Sequence, residues 1–327
     1  MKSVTKRSFL MIAFTAILTL CVAFPFTTMS TSAAYAAENE ASIVSTYTFE
    51  ESEATDAEFA SKDINSGEIK NYNIYDGDIK ISEMSIPESR KRLERNSAGF
   101  IPNSAVEYSL RSIIGSDERV KVSTADYPYR AICFIRITFP DSAVSIGSAW
   151  MYWNDVAITA GHCVYSSDHG GWASSIEVIP GADGSSRPYG TAWSTVIHTS
   201  NKWINGHNEE YDYGVIELNT SIGDKTGYFG THYSFWSLKN KNITVSGYPG
   251  EYYRQQWAMS GKVKKNTTRK IYYNIDTTGG QSGCPVYWYD SQYGYQGIAI
   301  HAYGGSTENS GTRITSSLFD FFESFRK

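Results

Sequence analysis

The sequence predicts an all-β fold of barrel or sandwich type for its larger, C-terminal part. Short segments rich in β-branched and aromatic residues follow one another there, separated at short intervals by Gly, Pro, Asn and Asp. The same part contains all 8 Trp of the chain, so it has ample apolar surface for a core. Helical spacing appears only near the C-terminus. One domain, or two tightly packed β-barrels, fits this pattern.

The chain begins with a pattern typical of an export signal. Three basic residues within the first seven positions are followed by an uncharged apolar stretch at 9–26 and by Ala34-Tyr35-Ala36. This ending fits the A-x-A pattern of a signal-peptidase site. The apolar stretch is also just long enough for a membrane anchor, but the A-x-A ending and the acidic chain after it favour cleavage. We expect 1–36 to be a signal peptide and the protein to be secreted into the extracellular space.

Residues 37–111 differ in composition from the C-terminal part of the chain and are predicted to form a propeptide. They contain 15 acidic and 8 basic residues, whereas 112–327 contain 19 and 18. The cluster Arg90-Lys91-Arg92, together with Arg95 and Arg111, offers cleavage points in an exposed acidic segment. A disordered surface extension is the alternative. We expect an activating protease to cut after Arg111 and to leave 112–327 as the mature domain.

Ten segments of the mature domain have the composition of strands, and Asn154-Asp155 predicts a hairpin turn between the second and the third. Only the tail is predicted to be helical, because one Leu and three Phe recur at helical spacing between 318 and 325. Ser316 or Ser317 is the expected N-cap. The predicted strands are 131–139, 149–153, 156–160, 176–179, 213–218, 243–246, 257–263, 271–275, 285–289 and 297–302.

Cysteine usage and charge exclude several classes of site. Cys133, Cys163 and Cys284 remain after the predicted signal, so at most one intramolecular disulfide can form. The sequence has neither C-x-x-C nor H-E-x-x-H, which gives a zinc site no support. The basic residues form no concentrated face of the kind a nucleic-acid binder needs.

Three short segments have the residue types that nucleophilic catalysis requires. His162 follows Gly161 at the end of a predicted strand, Asp212 precedes another strand, and Ser282 lies between glycines in Gly279-Gly280-Gln281-Ser282-Gly283. A Ser hydroxyl needs a neighbouring base to become a nucleophile, and an imidazole oriented by a carboxylate is such a base. The order His, Asp, Ser along the chain is that of chymotrypsin-type enzymes. We therefore predict a chymotrypsin-like double six-stranded antiparallel β-barrel with a C-terminal helix.

From position 112 onward the chain resembles the glutamyl endopeptidases, the Glu-specific chymotrypsin-fold serine peptidases of bacilli and staphylococci. The resemblance covers nearly all of the predicted mature domain. The matching runs are 112–117, 160–165, 211–214, 277–283, 300–301 and 311–315.

The resemblance implies a serine endopeptidase that cuts after Glu, and less often Asp, and is made as a zymogen. The backbone N–H groups of Gly280 and Ser282 are expected to form the oxyanion hole. His301 and Thr277 are the residues that match the family's contacts to the substrate carboxylate, and the freed amine of Ser112 contributes charge in some members.

Two departures from the family leave the disulfide pairing open. Related enzymes have a Cys where this chain has Gly147, and Cys284 stands where Ser is commoner. Cys163 therefore pairs with Cys133, pairs with Cys284, or stays free.

The expected partners are protein and peptide substrates and the protease that cuts at Arg111. We expect a monomer that needs no cofactor and binds neither nucleic acid nor, stably, a membrane; the fold can hold a structural calcium ion, but no cluster of ligands in the sequence indicates one. The alternatives are a chymotrypsin-fold peptidase of other or very narrow, toxin-like specificity and, more remotely, an inactive homologue that acts as a binding module.

Overall fold

The computed structural model of the chain describes residues 47–51, 57–76, 94–99, 117–305 and 307–326. Their strands form two closed six-stranded antiparallel barrels, and a helix lies near the C-terminus. The predicted all-β double barrel with a C-terminal helix is therefore confirmed. The predicted signal peptide and the bond between Arg111 and Ser112 lie outside the described residues.

The strands up to the end of the first barrel are β1 (Tyr47–Glu51), β2 (Phe59–Asp63), β3 (Ile69–Asp76), β4 (Glu94–Asn96), β5 (Val120–Lys121), β6 (Ile132–Thr138), β7 (Val144–Met151), β8 (Val156–Thr159), β9 (Tyr165–Ser166), β10 (Gly171–Trp172), β11 (Ser175–Pro180), β12 (Ala192–Ser200) and β13 (Gly214–Leu218). The first barrel closes because its first and last strands in the sheet order pair with each other. The order is β12-β11-β6-β7-β8-β13, and β13 pairs again with β12. Asn154 and Asp155 lie in the connection between β7 and β8, as predicted.

The remaining strands are β14 (Gly230–Ser234), β15 (Asn242–Gly247), β16 (Trp257–Asn266), β17 (Lys270–Tyr273), β18 (Pro285–Asp290), β19 (Gly294–Tyr303) and β20 (Asn309–Arg313). Six of them form the second barrel, which closes in the same way as the first. Its order is β18-β15-β16-β17-β20-β19, and β18 pairs with β19. β14 lies outside the ring and pairs in parallel with β19.

Three α-helices occur in the described ranges, where only one was predicted. They are α1 (Asn201–Gly206), α2 (Gly223–Thr226) and α3 (Ser316–Glu323). The first two are too short for a periodic apolar pattern, although Ser200 caps α1 by accepting a hydrogen bond from Lys202 N–H. The predicted cap of α3 is wrong: Thr315 Oγ1 accepts from Leu318 N–H. No helix among these residues has both the length and the apolar character needed to span a bilayer.

The described parts of the predicted propeptide have regular structure, which contradicts the alternative of a disordered extension for those parts. β2 pairs with the C-terminal half of β12, and β4 pairs with β14. The buried Phe59 of β2 stacks on Phe321 of α3 with ring centroids 4.2 Å apart. Arg95 forms an ion pair with Asp320, also on α3. β2 therefore packs on the first barrel, β4 extends the sheet that β14 joins to the second barrel, and both strands contact the C-terminal helix.

Candidate active site

His162 and Asp212 are brought together by two paired strands. His162 lies in a short 3₁₀ turn after β8, and Asp212 closely precedes β13, which pairs with β8. His162 N–H donates to Asp212 Oδ1 at 2.8 Å, and His162 Nδ1 lies 2.8 Å from Asp212 Oδ2. Because both oxygens of the carboxylate hold one residue, the imidazole is fixed in position and its Nε2 is left free to act as a base.

The electrostatics of this pair suit a general base. Burial opposes the charged imidazolium, but the charge of Asp212 helps to outweigh it, so the pKa of His162 is raised well above its ordinary 6.5. Burial by itself would raise the pKa of Asp212, but the charge of the adjacent His162 and the hydrogen bonds from His162 lower it below its ordinary value. Asp212 is fully buried. The carboxylate therefore stays ionised, and Nδ1 is the donor in the contact between them.

The turn around Ser282 depends on two glycines. Gly280 has φ +97° and Gly283 has φ +89°, a region in which a side chain is strained. A Cβ at Gly283 would also lie 2.2 Å from the Ser148 carbonyl oxygen. Within the described part of the chain, the N–H groups of Gly280 and Ser282 donate no backbone hydrogen bond, whereas Gln281, Gly283 and Cys284 each donate one. The two predicted oxyanion donors are thus left available.

The loop around Ser282, residues 278–283 (the nucleophile loop), is attached to the first barrel by Ser148, a residue that the sequence analysis missed. Ser148 N–H donates to the Ser282 carbonyl at 2.8 Å, and Ser148 Oγ donates to the Gly280 carbonyl at 2.9 Å. Ser148 lies on β7 and is fully buried. An inward-facing Ser on a strand has no signal in the sequence that separates this role from ordinary packing.

Ser282 Oγ and His162 Nε2 form no hydrogen bond among the contacts of the described residues. Their loops nevertheless touch, since Cys163 Sγ lies 3.9 Å from the Ser282 carbonyl oxygen. Catalytic hydrogen bonds are often long in sites without substrate and shorten when it binds. Cys133, Cys163 and Cys284 are all buried and unpaired, so the structure has Cys163 free.

His301 is buried on β19 directly behind the nucleophile. Its carbonyl accepts from Gly283 N–H at 2.7 Å, and its N–H donates to the Cys284 carbonyl at 2.9 Å. Burial, followed by the positive charges of His162 and Lys270, lowers the pKa of His301 to about 3. Its ring is therefore neutral at neutral pH.

The tautomer of His301 follows from its neighbour Tyr273. The Tyr273 hydroxyl lies 2.7 Å from His301 Nδ1, and burial raises the pKa of Tyr273 so far that the phenol keeps its proton. We assign the phenol as the donor to Nδ1, which leaves Nε2–H as a donor. Nε2 has no hydrogen-bond partner among the described side chains that surround it.

Thr277 is half-buried and held by Asn309, a second residue that the sequence analysis missed. Asn309 Nδ2 donates to Thr277 Oγ1 at 3.0 Å and to the Ile275 carbonyl at 2.7 Å. The hydroxyl hydrogen of Thr277 remains free to donate. Asn309 faces Tyr273 across β17 and β20, so both supporting residues lie on neighbouring strands.

Tyr303 adds a further polar group beside the carboxylate of Asp212. Its hydroxyl is buried and has no well-aligned hydrogen-bond partner among the described residues. It nevertheless contributes to lowering the pKa of Asp212, after the larger effects of burial and of His162. Burial and then the charge of Asp212 raise the pKa of Tyr303, so the phenol stays protonated.

The remaining predicted site residue, Ser112, lies outside the described residues. Within the described ranges, no group of three or more His, Cys, Asp or Glu side chains is arranged so that it could hold a metal ion.

The comparisons with known proteins find peptidases among the relatives of this chain. The chain is 41% identical over 244 residues to the glutamyl endopeptidase of Bacillus licheniformis, an alignment that covers 72% of this chain and 74% of that protein. It is 36% identical over 305 residues to a Bacillus subtilis protein named extracellular metalloprotease, covering 92% of each. No protein-family model matches.

A solved structure supports the same class. The structure of a Glu endopeptidase in complex with MPD matches with a TM-score of 0.57 and 32% identity, covering 64% of this chain and 97% of that one. The related folded enzyme is thus about as long as the two barrels alone.

Proposed function

Because the chain belongs to the glutamyl endopeptidases, a family of serine endopeptidases, we propose that it cuts peptide bonds after Glu, and less often Asp, with His162, Asp212 and Ser282. The observation that carries this proposal is the hold of Asp212 on both His162 N–H and Nδ1. That arrangement leaves Nε2 of His162 as the base that a Ser nucleophile needs.

The reaction proceeds through an acyl-enzyme. Ser282 Oγ attacks the scissile carbonyl carbon while His162 Nε2 takes its proton, and the N–H groups of Gly280 and Ser282 bind the oxyanion. The C–N bond then breaks and His162 gives the proton to the leaving amine. Water then attacks the ester carbon while His162 takes its proton. The bond to Ser282 Oγ breaks, His162 returns the proton to that oxygen, and the acid is released. Each oxyanion donor contributes about 3–4 kcal/mol to lowering the barrier.

Selectivity for Glu is attributed to His301 and Thr277. A buried substrate carboxylate needs hydrogen-bond donors or positive charge around it. His301 supplies Nε2–H from a fixed ring, and Thr277 supplies its hydroxyl. After cleavage at Arg111, the amine of Ser112 is proposed to add a positive charge.

We further propose that the protein is exported by residues 1–36 and activated outside the cell by a protease that cuts after Arg111. The B. subtilis relative, which matches this chain over 92% of its length, is named as an extracellular enzyme. The active form is proposed to be a monomer that needs no cofactor, binds no nucleic acid and does not associate stably with membranes.

The test is to map cleavage sites in a mixed peptide library by mass spectrometry, with the mature enzyme and its Ser282→Ala variant side by side. The expected cuts follow Glu and, less often, Asp, and they disappear in the variant. Cuts after other residues that disappear in the variant would retain the serine peptidase and discard the Glu pocket. If the folded, processed enzyme makes no cuts, it is a binding module instead.

A further inference from the structure

Arg119 is buried beside the nucleophile loop although nothing in the catalytic mechanism assigns it a role. Its side chain is 5% exposed. Nε and Nη2 donate to the two oxygens of Asp117 at 3.0 Å each, and Nη2 also donates to Glu251 Oε1 at 2.8 Å. Nη1 donates to Thr278 Oγ1 at 3.0 Å and to Gln281 Oε1 at 3.1 Å. One guanidinium thus joins two carboxylates to the loop that precedes Ser282.

The residues that Arg119 contacts in this loop are also hydrogen-bonded to each other and to Glu251. Gln281 Oε1 also accepts from Thr278 N–H at 2.9 Å, and Gln281 N–H donates to the Thr278 carbonyl at 3.1 Å. Thr278 Oγ1 in turn donates to Glu251 Oε2 at 2.6 Å. Gly280, the predicted oxyanion donor, lies inside the span that these bonds close. The direction of its N–H therefore depends on the conformation that Arg119 helps to hold.

Arg119 is itself fixed to the second barrel. The next two residues form β5, which pairs with β16, and Val122 N–H donates to the Gln256 carbonyl at 3.0 Å. Asp117 and Glu251 strengthen the hold, and they help raise the pKa of Arg119 above its ordinary value. Without the guanidinium, the buried Gln281 side chain would lose a charged donor.

We propose that Arg119 is a positioning residue that holds residues 278–281 in the conformation that directs the Gly280 N–H at the oxyanion. The inference rests on the proposed serine peptidase mechanism and extends it to a residue that precedes both barrels in the chain. An Arg suits the task because its planar fork serves four partners at once, whereas the ammonium of a Lys is a single point charge. Arg119 is seated in the uncut chain, so cleavage at Arg111 is not needed to form this loop.

The test compares Arg119→Met and Arg119→Lys with Lys121→Met in the mature enzyme. Lys121 is a matched control because it lies only two residues after Arg119, on β5, and its exposed pair with Asp183, at 2.9 Å, does not reach the loop. We expect kcat to fall about 10- to 100-fold in both Arg119 variants, below the roughly 100- to 1,000-fold loss of an oxyanion donor. KM is expected to change less than about threefold, and Lys121→Met to match the wild type.

Two inhibitors distinguish a misdirected Gly280 N–H from a general weakening of ligand binding. A peptide aldehyde, which forms an oxyanion on Ser282, should bind the Arg119 variants more weakly by the same factor as the loss in kcat/KM. A peptide that ends in the primary alcohol of the same residue, which offers no carbonyl or carboxylate oxygen to the Gly280 N–H, should bind as before. Equal weakening of both inhibitors, or no change in aldehyde affinity, would overturn the proposal.

A rescue experiment with added guanidinium covers the case in which Arg119→Met and Arg119→Lys do not fold. In Arg119→Ala, millimolar guanidinium is expected to restore kcat several-fold, with no effect on Lys121→Ala. A folded Arg119→Ala enzyme that does not respond, and whose aldehyde affinity is intact, counts against the proposal. Both inhibitors carry whichever residue the wild type prefers, so a wrong Glu assignment leaves this test intact.

Discussion

Asp212 has an effect on the pH dependence of the reaction that can be measured directly. Its charge helps to raise the pKa of His162, which must be neutral to accept the proton of Ser282. We expect Asp212→Asn to lower kcat about 10⁴-fold and to move the acid limb of kcat/KM to lower pH, because the imidazole loses its partner charge. A pH–rate profile from about pH 4 to 9 checks this. An acid limb that stays in place would show that another group controls it.

His301 provides the residue-scale test of selectivity. We expect His301→Ala to lose cleavage after Glu while Ser282 still reacts with a small sulfonyl fluoride, since only the pocket is altered. Tyr273→Phe removes the donor to His301 Nδ1 and should lower kcat/KM for Glu substrates by about tenfold, the value of one net hydrogen bond. Unchanged preference in both variants would contradict the assignment of the pocket.

At this scale the sequence indicated the candidate catalytic residues but not the residues that hold them in position. His162, Asp212 and Ser282 stand in short segments of unusual composition, so their order along the chain was informative. Ser148, Asn309 and Arg119 are ordinary polar residues whose partners lie far away in the chain. Their roles depend on the register of strands, which composition does not determine.

At the scale of secondary-structure elements, two strands of the predicted propeptide, β2 and β4, contact the C-terminal helix α3. Phe59 of β2 is buried and stacks on Phe321 of α3. In the uncut chain with Ser282→Ala, which prevents autolysis, we expect Phe59→Ala to lower the free energy of unfolding by about 3–5 kcal/mol. Urea unfolding measures it. Ile69→Ala is the control, since Ile69 is 53% exposed on β3. Similar losses in the two variants would contradict the role of the stacked pair.

Strands were predictable where apolar residues alternate or cluster and were missed where they do not. β6 and β19 carry long apolar runs and were anticipated. β20, with the sequence Asn309-Ser-Gly-Thr-Arg, is polar and contains Gly, and it becomes a strand because β17 and β19 flank it. β12 has few apolar residues in a row, and it becomes a strand because β13 of the barrel and β2 of the predicted propeptide pair with it.

For the whole molecule, two parts of the candidate active site are already in place in the uncut chain. His162 is paired with Asp212, and Arg119 holds the loop before Ser282. We therefore expect the precursor to be labelled on Ser282 by a small sulfonyl fluoride, while cleavage of Glu peptides waits for the free amine of Ser112. Mass spectrometry before and after the cut checks both, with Ser282→Ala as the unlabelled control. A precursor that resists labelling would show that cleavage assembles the catalytic residues themselves.

The three free cysteines of the barrels have a consequence for where such an enzyme can fold. Cys133 and Cys284 are thiols whose pKa burial raises, and Cys163 is also buried. Thiolates are the reactive species in oxidation and exchange, so Cys133 and Cys284 are protected in an oxidising medium. The three unpaired thiols form no cross-link that a reductant could remove. The two barrels should therefore have the same melting temperature with and without dithiothreitol. Such a domain can be produced in a reducing cytosol and used outside the cell without any oxidative maturation step.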